Sequence, residues 1–161
     1  DALGFGASGP VGHASGLRND SRFATPYLFY ADIPITFTDE HVAGDTESRF
    51  LQLIDQLRLS CDIVDLCLPL WNATEGQDVN VVLPKVVRAP EGTSYTWSEG
   101  PTGINGWLLV SAGEKTPWRL NLRSASLNNL AALAHAIRGT NFDRLGQAIK
   151  SSFVVIGDVD R

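Results

Sequence analysis

The chain has 161 residues, 43% of them hydrophobic, with 13 basic against 18 acidic side chains and a formal net charge of -5. That length suits one core and one domain and is short for two. The basic residues are scattered and outnumbered, which argues against a nucleic-acid partner, and Asp55, Arg58, Asp62 and Asp65 interrupt the longest apolar tract well short of the roughly 18 residues of a membrane-spanning helix.

The chain opens at Asp1 and contains no Met, which reads as removal of an initiator and of any targeting leader with it. Gly4, Gly6, Gly9, Gly12 and Gly16 then alternate with small residues and Pro10, a pattern of closely packed irregular backbone. Gly4-Phe5-Gly6-Ala7-Ser8-Gly9 matches G-x-G-x-x-G. No strand pattern precedes it and Pro10 follows, so the glycines read as packing and not as the opening of a dinucleotide-binding helix.

Residues 19–38 are polar with aromatic punctuation at Phe23, Tyr27, Phe29 and Tyr30. Pro26 and Pro34 exclude a long helix, so this is an extended loop pinned by its rings. Asp20 and Arg22, with one residue between them, read as a structural pair. His41 beside Asp39 and Glu40 lacks correctly spaced companions for a metal and reads as part of a solvated acidic loop.

From Asp45 the residues Phe50, Leu53, Ile54, Leu57, Cys61, Val64 and Leu68 recur three and four apart. Asp45 is therefore an N-cap and the helix is predicted over 45–68, ending before Pro69. Cys61 and Cys67 point to different faces of it, lack the spacing of a metal site, and read as buried thiols. Residues 69–94 are a surface excursion; Asn72-Ala73-Thr74 within it fits a glycosylation sequon only formally.

Short runs at 95–97, 107–111 and 118–122, rich in strand formers and separated by Gly and Pro, predict a small antiparallel sheet. Ser126 caps a helix to about Ile137, stopped by Gly139, with His135 and Arg138 at its negative end. Residues 142–152 form one further short helix. The run Phe153-Val154-Val155-Ile156 is a buried strand leading to Asp160 and Arg161, a terminus that reads as docked rather than frayed and that, if buried, would mark an interface. No repeat, heptad seam or low-complexity tract stands out. The fold class is α+β in a single domain, 1–161, divided at 1–44, 45–68, 69–94, 95–123 and 126–161. Ser, His and Asp are present without a G-x-S-x-G elbow, so a hydrolase triad is unsupported.

Several motifs run collinearly: Ser8-Gly9-Pro10 with His13, Ser15 and Gly16; Asp20-Ser21-Arg22 with Pro26, Tyr27 and Tyr30; Gly44-Asp45 with Arg49-Phe50-Leu51; Leu57-Arg58-Leu59-Ser60. After them come Pro90-Glu91-Gly92 with Tyr95, Glu99 with Pro101, Gly103 and Gly106, Val110-Ser111 with Gly113, Pro117-Trp118-Arg119, Arg123, Asn129-Leu130, Arg138-Gly139, and Gly157-Asp158-Val159-Asp160-Arg161. In this order they resemble the 49-kDa subunit family of respiratory complex I, whose relatives include the large subunits of nickel–iron hydrogenases. The chain resembles the C-terminal part only. His13 stands where the family has Arg, Ile104 where it has Glu, Phe153 where it has Asp and Lys150 where it has Gly. No cysteine lies near the C-terminus, so the nickel ligands of the hydrogenase relatives are absent.

The resemblance implies a chain without its own catalytic residues, cofactor or metal. It is expected to be the C-terminal fragment of a split quinone-site subunit that supports NADH-to-quinone electron transfer structurally within the peripheral arm of NADH:ubiquinone oxidoreductase. Flavin mononucleotide and iron–sulfur clusters would sit on partner subunits, with quinone as substrate of the complex. Expected partners are a chain carrying the N-terminal half, the iron–sulfur subunit beside the quinone site, and the membrane through the complex. Arg22, Arg49, Arg58, Arg119, Arg123, Asp160 and Arg161 are the candidate supports of the quinone cavity or its interfaces. Location would be the matrix side of the mitochondrial inner membrane, with a bacterial cytoplasmic membrane as the alternative. A chemically inactive accessory paralogue and an independent soluble domain are the competing readings.

Overall fold

A computed structural model of the chain describes residues 1–34, 40–78 and 80–160. A 3-10 turn at Ala2–Phe5 leads to helix α1 (Gly9–Ala14) and helix α2 (Ser21–Ala24). A second 3-10 turn, Tyr30–Asp32, precedes the long helix α3 (Thr46–Ala73). Strands β1 (Gly92–Gly100), β2 (Gly103–Ser111) and β3 (Arg119–Arg123) follow, then helices α4 (Ala125–Ala136), α5 (Phe142–Lys150) and α6 (Ile156–Val159). The class is α+β, as the sequence pattern predicts, and the strands form one antiparallel sheet in the order β1-β2-β3.

The glycine-rich opening is packed as expected but is largely helical. Pro10 sits in the first turn of α1, where no N–H is needed for the helix ladder. Gly9 has φ 60, and a Cβ there would lie 2.5 Å from the Thr102 carbonyl carbon, so α1 rests directly on the β1–β2 turn. Three hydrogen bonds lock this contact. Ile104 N donates to Ser8 Oγ at 3.0 Å, Ser8 N donates to Asn129 Oδ1 at 3.3 Å, and Asn129 Nδ2 donates to Thr102 O at 3.1 Å.

Asp45 caps α3, its Oδ1 accepting from Ser48 N at 2.8 Å. That amide is the largest cause holding the Asp45 carboxyl below its ordinary pKa. The helix continues through Pro69, which forfeits one ladder bond, and ends at Ala73, past the stop the sequence suggests. Its burial is inverted. Ser48, Arg49, Gln52, Gln56 and Ile63 face inward, while Phe50, Ile54, Leu57, Val64, Leu68 and Trp71 are exposed. With Cys61 these exposed residues step alternately by four and three, which is a heptad seam that Leu51 and Leu53 obscure in the bare sequence. The inversion also corrects the reading of the cysteines: Cys61 is exposed and Cys67 only half-buried.

Two corrections concern the C-terminal third. The cap of α4 is Ser124, whose Oγ accepts from Leu127 N at 3.3 Å; Ser126 is already inside the helix. The run 153–156 is not a buried strand. Phe153 has φ 50, which breaks an extended run, Val155 N donates to Ser126 Oγ instead of to a neighbouring strand, and Ile156 is exposed.

The buried apolar core, Ala7, Val11 and Ala132 with Ala2 and Phe153 packed on it, is small. The chain exposes 11094 Å², against about 7,900 Å² for a folded monomer of 17.4 kDa. Much of the excess is apolar, since the outer face of α3 and the segment around Val81, Val82 and Leu83 are exposed.

Candidate functional site

The most strongly built polar cluster joins α2 to the end of β1. Asp20, in extended conformation, caps α2 by accepting from Arg22 N at 2.9 Å. The Arg22 guanidinium curls back onto it, Nε 3.0 and 3.2 Å from the two carboxylate oxygens and Nη2 2.6 Å from Oδ2. Burial alone would lower the Arg22 pKa, but the hydrogen bond and charge of Asp20 outweigh it, so the net direction is upward.

Ser21 between them faces the sheet. Its N–H and Oγ both donate to Glu99 Oε2, at 3.2 and 2.9 Å. Burial pushes the Glu99 carboxyl above the ordinary carboxylate range, the Asp20 charge acts in the same direction, and the Ser21 bonds oppose it. Burial likewise raises the Tyr27 phenol. Tyr27 meets Tyr30 edge-on at 5.1 Å, and Tyr30 stacks on Phe29 at 5.6 Å. Directly across the ladder from Glu99 stands Ile104, so no second charge opposes this carboxyl at the turn.

Beside the cluster lies a cleft of about 380 Å³, bordered by Arg22, Tyr30, Gln56, Glu99 and Pro101 with an apolar side of Leu53 and Leu57. Gln56 Nε2 is buried and has no hydrogen-bond partner among the described residues. An Arg, an amide, a phenol and an uncommonly basic carboxyl above an apolar wall suit a group with a carbonyl or hydroxyl end on an apolar body.

The candidate residues do not converge on one site. Arg22 borders this cleft. Arg49, buried, donates from Nη1 to Ser151 Oγ at 3.2 Å and from Nη2 to Gly44 O at 3.3 Å. Arg123 donates to Ile104 O at 3.4 Å and Gly6 O at 3.3 Å, and lines a second cleft of about 480 Å³ with Thr102, Asn105, Trp107 and Asp158. Arg58 is exposed, 3.3 Å from Asp55 on its own helix, and Asp55 also lies 3.3 Å from His41. Arg119 and Asp160 are exposed, and Arg161 lies outside the described residues. His13 is fully buried, its Nδ1 2.9 Å from Leu17 O.

Among the described residues no group of three or more His, Cys, Asp or Glu side chains could hold a metal ion, and no helix is long and apolar enough to cross a membrane. Gln56 escapes a reading of the sequence. Ser21 and Glu99 enter it only as members of the collinear motifs, without a role, although Glu99 is also the only charged residue in β1.

A family model described as the 49-kDa subunit of respiratory-chain NADH dehydrogenase matches residues 1–88 and 77–161. The chain is 48% identical over 160 residues to the D 2 subunit of NADH-quinone oxidoreductase from Salinispora arenicola, covering 99% of this chain and 41% of that protein. It is 45% identical over 162 residues to the D 1 subunit of the same oxidoreductase from Streptomyces coelicolor, covering 98% and 41%. The chain thus spans about two fifths of the length of the curated relatives it matches. A chain in the structure of the membrane-bound sulfane sulfur reductase, an archaeal respiratory membrane complex, superposes with a TM-score of 0.88 at 24% identity, covering 99% of this chain and 43% of that one. At that identity the likeness concerns the fold alone.

Proposed function

This chain belongs to the family of the 49-kDa subunit of respiratory-chain NADH dehydrogenase, and from that premise we propose that it builds the C-terminal part of a 49-kDa-type subunit and works as scaffold within an NADH:quinone oxidoreductase. The observation that carries the reading is the surface. An excess of about 3,200 Å² over a monomer of this size is at least the one-sided share, roughly 1,000–2,500 Å², of obligate interfaces that bury about 2,000–5,000 Å² over both partners, and the heptad seam of α3 is the face that another helix would cover.

In this reading the upstream part of the subunit, whichever polypeptide carries it, packs on α3 and supplies the residues that address quinone. The present residues hold geometry. The Asp20–Arg22 pair and the Ser21–Glu99 bonds fix α2 against β1, and the Ser8–Asn129–Thr102 bonds fix the β1–β2 turn. Flavin mononucleotide and iron–sulfur clusters belong to partner subunits and carry the redox chemistry there. The relatives' sources favour a bacterial cytoplasmic membrane over the mitochondrial inner membrane as the place of assembly.

A second reading, a paralogue of the 49-kDa-type subunit kept as inert scaffold, draws on the numbered names of the relatives, D 2 and D 1. The test is to affinity-tag the chain, isolate it from mild-detergent membranes and identify co-migrating proteins by native electrophoresis and mass spectrometry. Recovery with flavin and iron–sulfur subunits supports the proposal. A separate chain carrying the upstream half supports a split subunit, an intact second member of the family in the same complex supports the paralogue, and a lone species overturns both.

A further inference from the structure

Arg49 is 8% exposed, yet among the described residues no carboxylate lies within ion-pair distance of its guanidinium. Its hydrogen bonds go to a hydroxyl and a carbonyl, both neutral, and its Nε is buried without a partner. Its position adds to the cost, because it sits in the first turn of α3, where the helix dipole already places positive potential. Asp45, at the cap, is the nearest source of relief and is committed to Ser48. Proteins seldom bury an arginine in this state, since an interior charge without a counter-charge loses its hydration and gains little in return.

Arg49 lines an open cleft of about 320 Å³ between α1, α3 and α4, formed with Val11, Gly44, Leu133 and Ser152 among others. At its rim Asp1 is engaged by His135, Nε2 to Oδ2 3.1 Å. The cleft therefore has room and, in its lining, a cation with no carboxylate beside it. It lies near the N-terminal end of the same helix whose apolar seam is uncovered.

We propose that Arg49 receives a carboxylate from the segment that packs on α3 in the assembly: an Asp or Glu side chain outside these 161 residues that enters this cleft and accepts from the guanidinium. The proposal rests on the assembly reading above and adds the chemistry of one contact to it. The apolar seam supplies area and this ion pair supplies register, because a buried charge pair is satisfied in only one alignment of the two chains.

The test uses the assembled complex carrying Arg49→Lys, treated with a carbodiimide, which joins an amine to a carboxylate in direct contact; linked peptides are then read by mass spectrometry. A link from position 49 to an Asp or Glu outside these 161 residues, lost in Arg49→Met, is the expected result. An intact complex with no such link, or with links only within these 161 residues, overturns the proposal while leaving the assembly reading in place. Failure of the unsubstituted chain to assemble overturns both. Arg49→Met gives a second, opposite-signed measurement. It should lower the yield of complex at least tenfold by stranding the partner's carboxylate, whereas equal or higher yield would mean that no carboxylate was there, because removing an unpaired buried charge relieves the fold.

Discussion

Arg22 grips both carboxylate oxygens of Asp20, two residues before it, while Asp20 also accepts the Arg22 backbone N–H, so one short segment closes its own charge pair and its own helix cap. The two side chains are 11% and 1% exposed. Removing one partner strands the other in the interior. Arg22→Ala is expected to cost about 3–5 kcal/mol, and the double change Asp20→Asn with Arg22→Met less than the sum of the singles. Thermal unfolding of the purified assembly checks both.

Glu99 gives a pH dependence with a definite sign. Its folded pKa is raised by burial, so below the ordinary carboxylate range both folded and unfolded chains are protonated and its contribution to stability is fully present. As pH rises the unfolded chain releases the proton first, and that contribution falls until folded Glu99 ionises as well. Glu99→Gln should therefore gain stability relative to the unsubstituted chain as pH rises from the carboxylate range toward neutrality. A difference that stays flat with pH would show that Glu99 titrates as it does unfolded.

Gly9→Ala tests the contact between α1 and the β1–β2 turn. The new Cβ would meet the Thr102 carbonyl carbon and oxygen at 2.5 Å, with φ at 60, and backbone cannot swing aside as a side chain can. A loss of several kcal/mol is expected. Gly4→Ala, with nothing within 4 Å of the added carbon, is the control and should change stability little.

The two serines at the start of α4 separate by mechanism. Ser124→Ala removes a cap and should cost about 1 kcal/mol. Ser126→Ala removes the acceptor for Val155 N at 3.1 Å and the donor to Asp158 Oδ2 at 3.0 Å, and the Ser126 side chain is fully buried. It should cost more, about 1–3 kcal/mol. Equal effects would argue that the C-terminal turn is not held by this hydroxyl.

Leu57→Asp and Val64→Asp address the seam. Both residues are well exposed, so each change should leave the helix intact by circular dichroism, while the yield of assembled complex falls sharply. Assembly at the original level would mean that another face of the chain makes the contact.

The cap at Asp45, the helix after it and the antiparallel hairpins are legible from sequence because their causes are local: a side chain that reaches an amide three residues on, a period of 3.6, and glycines at turns. The pairing of Asp20 with Arg22 is legible for the same reason, since two residues of separation suffice to form it.

Which face of α3 turns inward is not local. A reading of the periodicity assigns Phe50, Ile54 and Leu57 to a core, yet the face of α3 turned inward is the polar one, Ser48, Arg49, Gln52 and Gln56, with Gln52 bonded to His41 O and Arg49 to Ser151 Oγ, and the apolar seam is left outside. The run 153–156 has strand composition, but no strand edge is paired with it, and Ser126, distant in sequence, takes its amide. Glu99 acquires its raised pKa, and Arg49 its uncompensated charge, only from what the folded chain sets beside them and takes away from water. Sequence alone determined the family, the α+β class and the elements whose stabilising contacts lie within a few residues. Tertiary structure decided burial, and through burial the charges and surfaces on which function rests, because desolvation depends on neighbours that sequence spacing does not reveal.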